Sequence, residues 1–239
     1  MIFVQRRKVV WPRDLEDPAQ PAQPTAQPMG EPRVALGVAL TIDELRAAPR
    51  WPLDRTLALQ GRVRGDTLGP WGANLGKRFG ADALSRVRAR LTPELASIAP
   101  VLSDRDRVPV YAQLVLTEAI VDEFLDGDMR ALLPLLVADT RAGVGKVRHA
   151  AMRLAGAGTL LRLGPRTFRD VHELGEHDVT VASGRAEMRF ARNPLFAHPT
   201  WRVLQAYATC VLFDLVGVRG TVVGEDAGAD AFTAIATWG

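Results

Sequence analysis

The sequence predicts an α+β fold, with helices first and then a small, mainly antiparallel sheet split by one long helix. Three observations carry this. Up to about residue 174 the apolar residues recur at helical spacing. From 177 to 191 they alternate on either side of Ser183-Gly184, as the strands of a hairpin do. A long helical stretch then precedes two strand-like segments, so helices and strands fall in separate blocks.

In chain order, residues 1–40 form a tail and residues 41–239 a single domain. Six prolines stand between Pro12 and Pro32, with Gln20, Gln23 and Gln27 among them. Such a stretch has few apolar side chains to bury and too few regular donors for secondary structure, so it reads as an extended linker. Order is expected from Thr41, where Thr41-Ile-Asp-Glu44 fits a capping box. That short helix ends at Pro49 and Pro52. Residues 71–79 and 81–91 read as helices broken around Gly80, and Thr92-Pro93-Glu94 as an N-cap with proline at the first helical position. The strongest helix is expected over 110–125, with Val110, Leu114, Val121 and Leu125 on its apolar face and Glu118, Asp122 and Asp126 on the wet one. Further helices are expected over 129–142, 146–155 and 165–174. Strands follow over 177–183 and 185–191, a helix over 200–216, and strands over 220–224 and 231–238.

Composition narrows the function. Of 239 residues, 47% are hydrophobic and 24% charged, which suits a packed domain. The net charge is only +3 although the pI is about 9.5. All but three of the 30 basic residues are arginines (Lys8, Lys77 and Lys146 are the exceptions), and arginine does not titrate in the ordinary range. Residues 1–90 carry 15 basic and 9 acidic groups and residues 91–239 carry 15 and 18, a lopsidedness that could suit an anionic partner. No cluster of cations interleaved with stacking aromatics accompanies it, so nucleic acid is not an expected partner. One cysteine, Cys210, excludes an internal disulfide framework. The longest apolar run, 131–138, contains Pro134 and is too short to span a membrane. The N-terminus lacks the order of charge and apolar run of a secretory signal, so a cytoplasmic location is expected.

The catalytic motifs fail on spacing. His172 and His177 are five apart with Gly175 between them, whereas a metallohydrolase helix needs histidines four apart. Gly72 to Arg78 and Gly143 to Lys146 lack the hydroxyl that follows the lysine of a phosphate loop, and neither follows a buried strand. Ser183 has no nucleophile elbow, and Cys210 sits mid-helix among apolar residues. The acidic set around Glu118 lacks calcium-loop alternation. Lys146, His149 and Arg153 share one helical stripe, with Arg141 upstream. They suit an anionic group, an acidic surface, or solvent alone.

Several segments together suggest a family. Leu45-Arg-Ala-Ala followed by Leu57-Ala-Leu-Gln-Gly61 looks like a short helix and a first strand. Phe79-Gly80-Ala81-Asp82-Ala83-Leu84 and Leu91-Thr92-Pro93-Glu94-Leu95 look like early helices. Phe168 with Leu174, the hairpin, Pro199-Thr200-Trp201, and Val222-Val223-Gly224 through Gly228 to Phe232 follow in the same order. From about Thr41 onward the chain resembles an uncharacterised bacterial family of multiple paralogues. That family looks like the 4-vinyl-reductase-like sensory domain, similar in fold to trafficking-complex subunits and haem-nitric-oxide-type sensors. Relatives often carry cysteines in the closing hairpin, where this chain has Val223 and Ala231, and the Tyr-x-Ser-x-Arg pattern of haem sensors is missing. No cofactor is therefore implied.

What the resemblance implies is a non-catalytic, usually homodimeric regulatory domain. It would bind a small apolar ligand between helices and sheet, in a pocket lined by Trp71, Phe79, Tyr111, Trp201 and Tyr207. Arg78, Arg141 or His149 would hold a polar end of the ligand. The alternative is a protein-interaction scaffold of the trafficking-subunit type, in which the same aromatics fill the core.

Overall fold

The computed structural model describes residues 36–39, 48–65, 69–97 and 107–239. The linker at 12–32 and the capping box at Thr41 lie outside them. Seven strands and eight α-helices follow along the described chain: β1 (Leu36–Ala39), α1 (Leu53–Leu57), β2 (Arg62–Arg64), α2 (Gly69–Phe79), α3 (Ala83–Ala89), α4 (Pro93–Ala96), β3 (Arg107–Pro109) and α5 (Ala112–Phe124). Then come α6 (Leu132–Gly143), α7 (Lys146–Val171), β4 (Glu176–Ala182), β5 (Arg185–Ala191), α8 (Pro199–Val216), β6 (Gly220–Asp226) and β7 (Phe232–Trp238).

The alternation of the late segments builds the main sheet, in the order β1-β6-β7-β5-β4. Gly184, at φ +64°, closes the β4–β5 hairpin, with Val179 opposite Met188. β5 pairs with β7 and β7 with β6, all antiparallel, which puts Met188, Ala234, Val222 and Ala236 on one buried face. Asp178, Thr180 and Arg189 on the other face are exposed, as expected of a sheet covered on one side. One pair is parallel: β1 runs beside β6. The sheet thus starts N-terminal to the Thr41 boundary read from the sequence, because a four-residue edge strand gives no periodic signal of its own. A separate two-stranded ribbon joins β2 to β3. The first strand expected over 57–61 is displaced there, since Leu57 ends α1 and Gly61 turns the chain at φ +91°.

Helices α7 and α8 cover the sheet. α8 opens where proline fits best, with Pro199 in its first turn and His198 Nδ1 accepting the Thr200 amide at 3.3 Å. Trp201, Tyr207 and Phe213 of this helix are buried, with Phe196 and Phe232 beside them, and each large apolar side chain contributes about 1.5–3 kcal/mol. α7 corrects the expected start at Pro165. Its second stretch begins after Gly156, whose φ +75° and ψ 162° break the helix, and it runs straight through Pro165. The lost amide bond is offset by packing. A Cβ on Gly164 would lie 3.0 Å from His177 Cε1, so the helix seats directly on β4.

α5 lies deep among the helices, with every residue from Leu114 to Val121 buried. Glu118 is among them at 4% exposure, so the expected wet stripe begins only at Asp122. Its Oε1 stands 3.0 Å from His198 Nε2, off the direction of the ring N–H.

Candidate functional site

α2 and α6 each present a stripe at spacings of three and four: Leu75, Arg78 and Phe79 on α2, and Leu132, Leu135, Leu136 and Asp139 on α6. Ile120 of α5 closes the floor between them. The three helices enclose an apolar cleft of about 20 Å³. Its polar groups stand together, where Arg78 Nη2 donates to Asp139 Oδ1 at 3.1 Å. Phe79 is fixed by stacking on Phe124 at 4.2 Å, and the Arg86 guanidinium lies 4.6 Å from the Phe124 ring. Arg90 and then Arg86 hydrogen-bond Glu123 and hold its carboxyl below the usual range. This anchors α3 to α5 beside the cleft.

Of the residues singled out from the sequence, Arg78 and Phe79 meet here. The others do not. Trp71 belongs to α2, and its side chain lies outside the described part. Tyr111 is buried at the start of α5. Trp201 and Tyr207 are core residues of α8. The Tyr207 hydroxyl donates to the Met129 carbonyl at 3.0 Å, so it secures the turn that leads into α6. Arg141 forks onto the buried Asp214 carboxylate, with Nη2 at 2.6 Å from Oδ1, and ties α6 to α8. His149 is half-buried on the first stretch of α7 and is not among the residues that line the cleft. The cleft thus lies among helices rather than between helices and sheet.

Six lining residues escaped the sequence reading: Leu75, Ile120, Leu132, Leu135, Leu136 and Asp139. The spacing of the last four was visible, but not which helix would face them. The buried Glu118–His198 pair also escaped, although Pro199 marks His198 as a helix cap.

Nucleophilic chemistry finds little here. Burial pushes the Cys210 thiol up to about 12, and it raises the Tyr207 and Tyr111 phenols as well. Burial holds His172 and His177 down to about 4. Among the described residues no three His, Cys, Asp or Glu side chains are gathered as metal ligands, and no described helix is long and apolar enough to cross a membrane. Haem, raised by the likeness to haem-nitric-oxide-type sensors, does not fit this cleft. The cleft offers no His, Cys, Met or Tyr to ligate iron, and His172, His177 and His198 are packed against Phe168, Phe190 and Glu118 elsewhere.

A scan against protein-family models finds none that matches, and no curated protein matches either. Solved structures do. The Fe(II) unliganded H-NOX protein from K. algicida superposes with a TM-score of 0.51 at 10% identity, over 74% of this chain and 97% of that one. A single-site mutant of that protein gives a TM-score of 0.53 at 10% identity, with the same coverage. At such identity the likeness establishes the fold alone: this chain has the fold of the H-NOX proteins.

Proposed function

We propose that this chain is a non-catalytic sensory domain, of the 4-vinyl-reductase-like kind, that takes a small ligand into the cleft between α2, α5 and α6. The observation that carries the reading is the cleft itself, an apolar recess with one ion pair, Arg78–Asp139, among its walls. Its chemistry suits a molecule with an apolar body and one anionic end, which Arg78 would take up on leaving Asp139. Ligand pockets usually hold roughly 300–1,000 Å³, so binding must widen this one. α6 is the wall suited to move, because only Leu132 of its leucines is fully buried. Its motion would reach α8 through Arg141–Asp214 and the Tyr207–Met129 bond. The H-NOX fold supports a sensory role, and homodimerisation, which sedimentation at tens of micromolar checks, belongs to the same proposal.

Decanoate is the test probe, titrated against the full chain while the melting temperature is followed. The expected result is a saturable rise, smaller in Arg78→Ala and absent in Leu136→Trp, which fills the cleft. Equal rises in all three proteins, or none in any, refute the reading. A second reading, a protein-interaction scaffold, is favoured by the interior around Trp201 and Tyr207, which those rings fill.

A further inference from the structure

The first stretch of α7 is poorly covered by the rest of the fold. Val147 is 86% exposed and Leu154 90%, and Ala150 and Ala151 between them are exposed as well. Positions 147, 150, 151 and 154 follow the i, i+3, i+4, i+7 pattern, so they form one continuous stripe along the helix. Arg148 borders it on one side, and Lys146 and Arg153 on the other; the half-buried His149 and Met152 turn back toward the fold. Among the described residues none of these three cations forms an ion pair. The surrounding sequence sharpens the contrast, for residues 140–169 hold seven cations and no carboxylate. Gly156 separates this stretch from the part of α7 that lies on β4, in a backbone region open essentially only to glycine.

We infer that residues 146–155 form a docking face for an acidic amphipathic helix of a partner protein. An apolar helical stripe left in water at this exposure marks an interaction surface, and its spacing is the one a second helix reads. Alanines between Val147 and Leu154 leave a shallow groove into which a partner's leucines fit. Charge selects the occupant. A second copy of the same stretch would set cations against cations, whereas glutamates flanking a leucine stripe complement Lys146, Arg148 and Arg153. An anionic membrane is the poorer match, because interfacial helices bury bulky aromatic and leucine side chains and this stripe is half alanine. The inference is independent of the cleft.

The test uses the full chain and a fluorescein-labelled synthetic helical peptide with a leucine stripe flanked by glutamates. The control peptide carries lysines in their place. Anisotropy should show saturable binding of the glutamate peptide alone, weakening as salt rises. Val147→Asp with Leu154→Asp should weaken it about tenfold or more, and Lys146→Glu with Arg148→Glu should transfer binding to the lysine peptide. Because these side chains are exposed, circular dichroism should be unchanged in both variants. Three results overturn the inference. The two peptides could bind the wild type equally or not at all. The aspartate pair could abolish self-association seen by sedimentation, which would assign the face to a second copy. Vesicles of equal parts phosphatidylserine and phosphatidylcholine could bind the chain where the glutamate peptide does not.

Discussion

Acid should destabilise this protein well before its carboxylates titrate, because two histidines are buried in an aromatic cluster without partners for all their nitrogens. His172 stacks on Phe168 at 4.4 Å, and His177 stacks on Phe190 at 4.2 Å. His172 Nδ1 and His177 Nε2 accept and donate no hydrogen bond. Burial is the main cause that holds each ring down to about 4. The His177 charge adds to it for His172, while the Gly164 backbone and Asp178 oppose it for His177. In the unfolded chain each titrates near its usual value of about 6.5. Between those values the unfolded state binds the protons, so stability is fully present above about pH 6.5 and is lost as pH falls toward 4. From pH 7 to pH 5 the loss is about 2 kcal/mol for one histidine and up to about 4 kcal/mol for both. Urea unfolding at a series of pH values measures it. His177→Phe keeps the stack and removes one proton site, so about half of the acid dependence should disappear. Glu123, held low by Arg90 and Arg86, contributes only below this window. Stability that is flat from pH 7 to pH 5, or an acid limb unchanged in the double His172→Phe, His177→Phe variant, would refute the reasoning.

Other consequences are simpler to read. Gly156→Ala should destabilise by about 1–3 kcal/mol in thermal unfolding, because an L side chain is strained at φ +75° whatever space surrounds it. Tyr207→Phe removes one of two donors to the Met129 carbonyl, which keeps the Leu132 amide, and should cost about 1 kcal/mol in urea, with the loss seen as faster amide exchange at the start of α6. Cys210, fully buried and with its thiol pushed up to about 12, should resist iodoacetamide in the native protein and react once urea unfolds it.

How much of this was legible depended on whether a signal was local. The β4–β5 hairpin and α8 stand where alternation, Ser183-Gly184 and Pro199 place them, because turn chemistry and helix capping act within a few residues. α2 and α3 break at Gly80 for the same reason. The four-residue spacing of Glu118, Asp122 and Asp126 predicts one wet stripe, and Glu118 departs from it. α5 is surrounded instead, and only the partner His198, distant in sequence, reveals it. The preference of proline for the first turn of a helix predicts a start at Pro165, which the packing of Gly164 on β4 overrides. β1 is defined by its neighbour β6 and not by its own four residues. The cleft is the extreme case. Leu132, Leu135, Leu136 and Asp139 announce a stripe, but its facing wall is set by how three helices meet, and no single-chain periodicity carries that.

The central claim is that the ligand enters between α2, α5 and α6. Methyl-resolved NMR of the full chain titrated with decanoate tests it most directly, with assigned signals for Leu75, Ile120, Leu132, Leu135, Leu136, Val147 and Leu154. The account predicts saturable shifts of the first five, with Val147 and Leu154 unmoved. Shifts confined to Val147 and Leu154, or no shift at the cleft methyls at saturating decanoate, would contradict it.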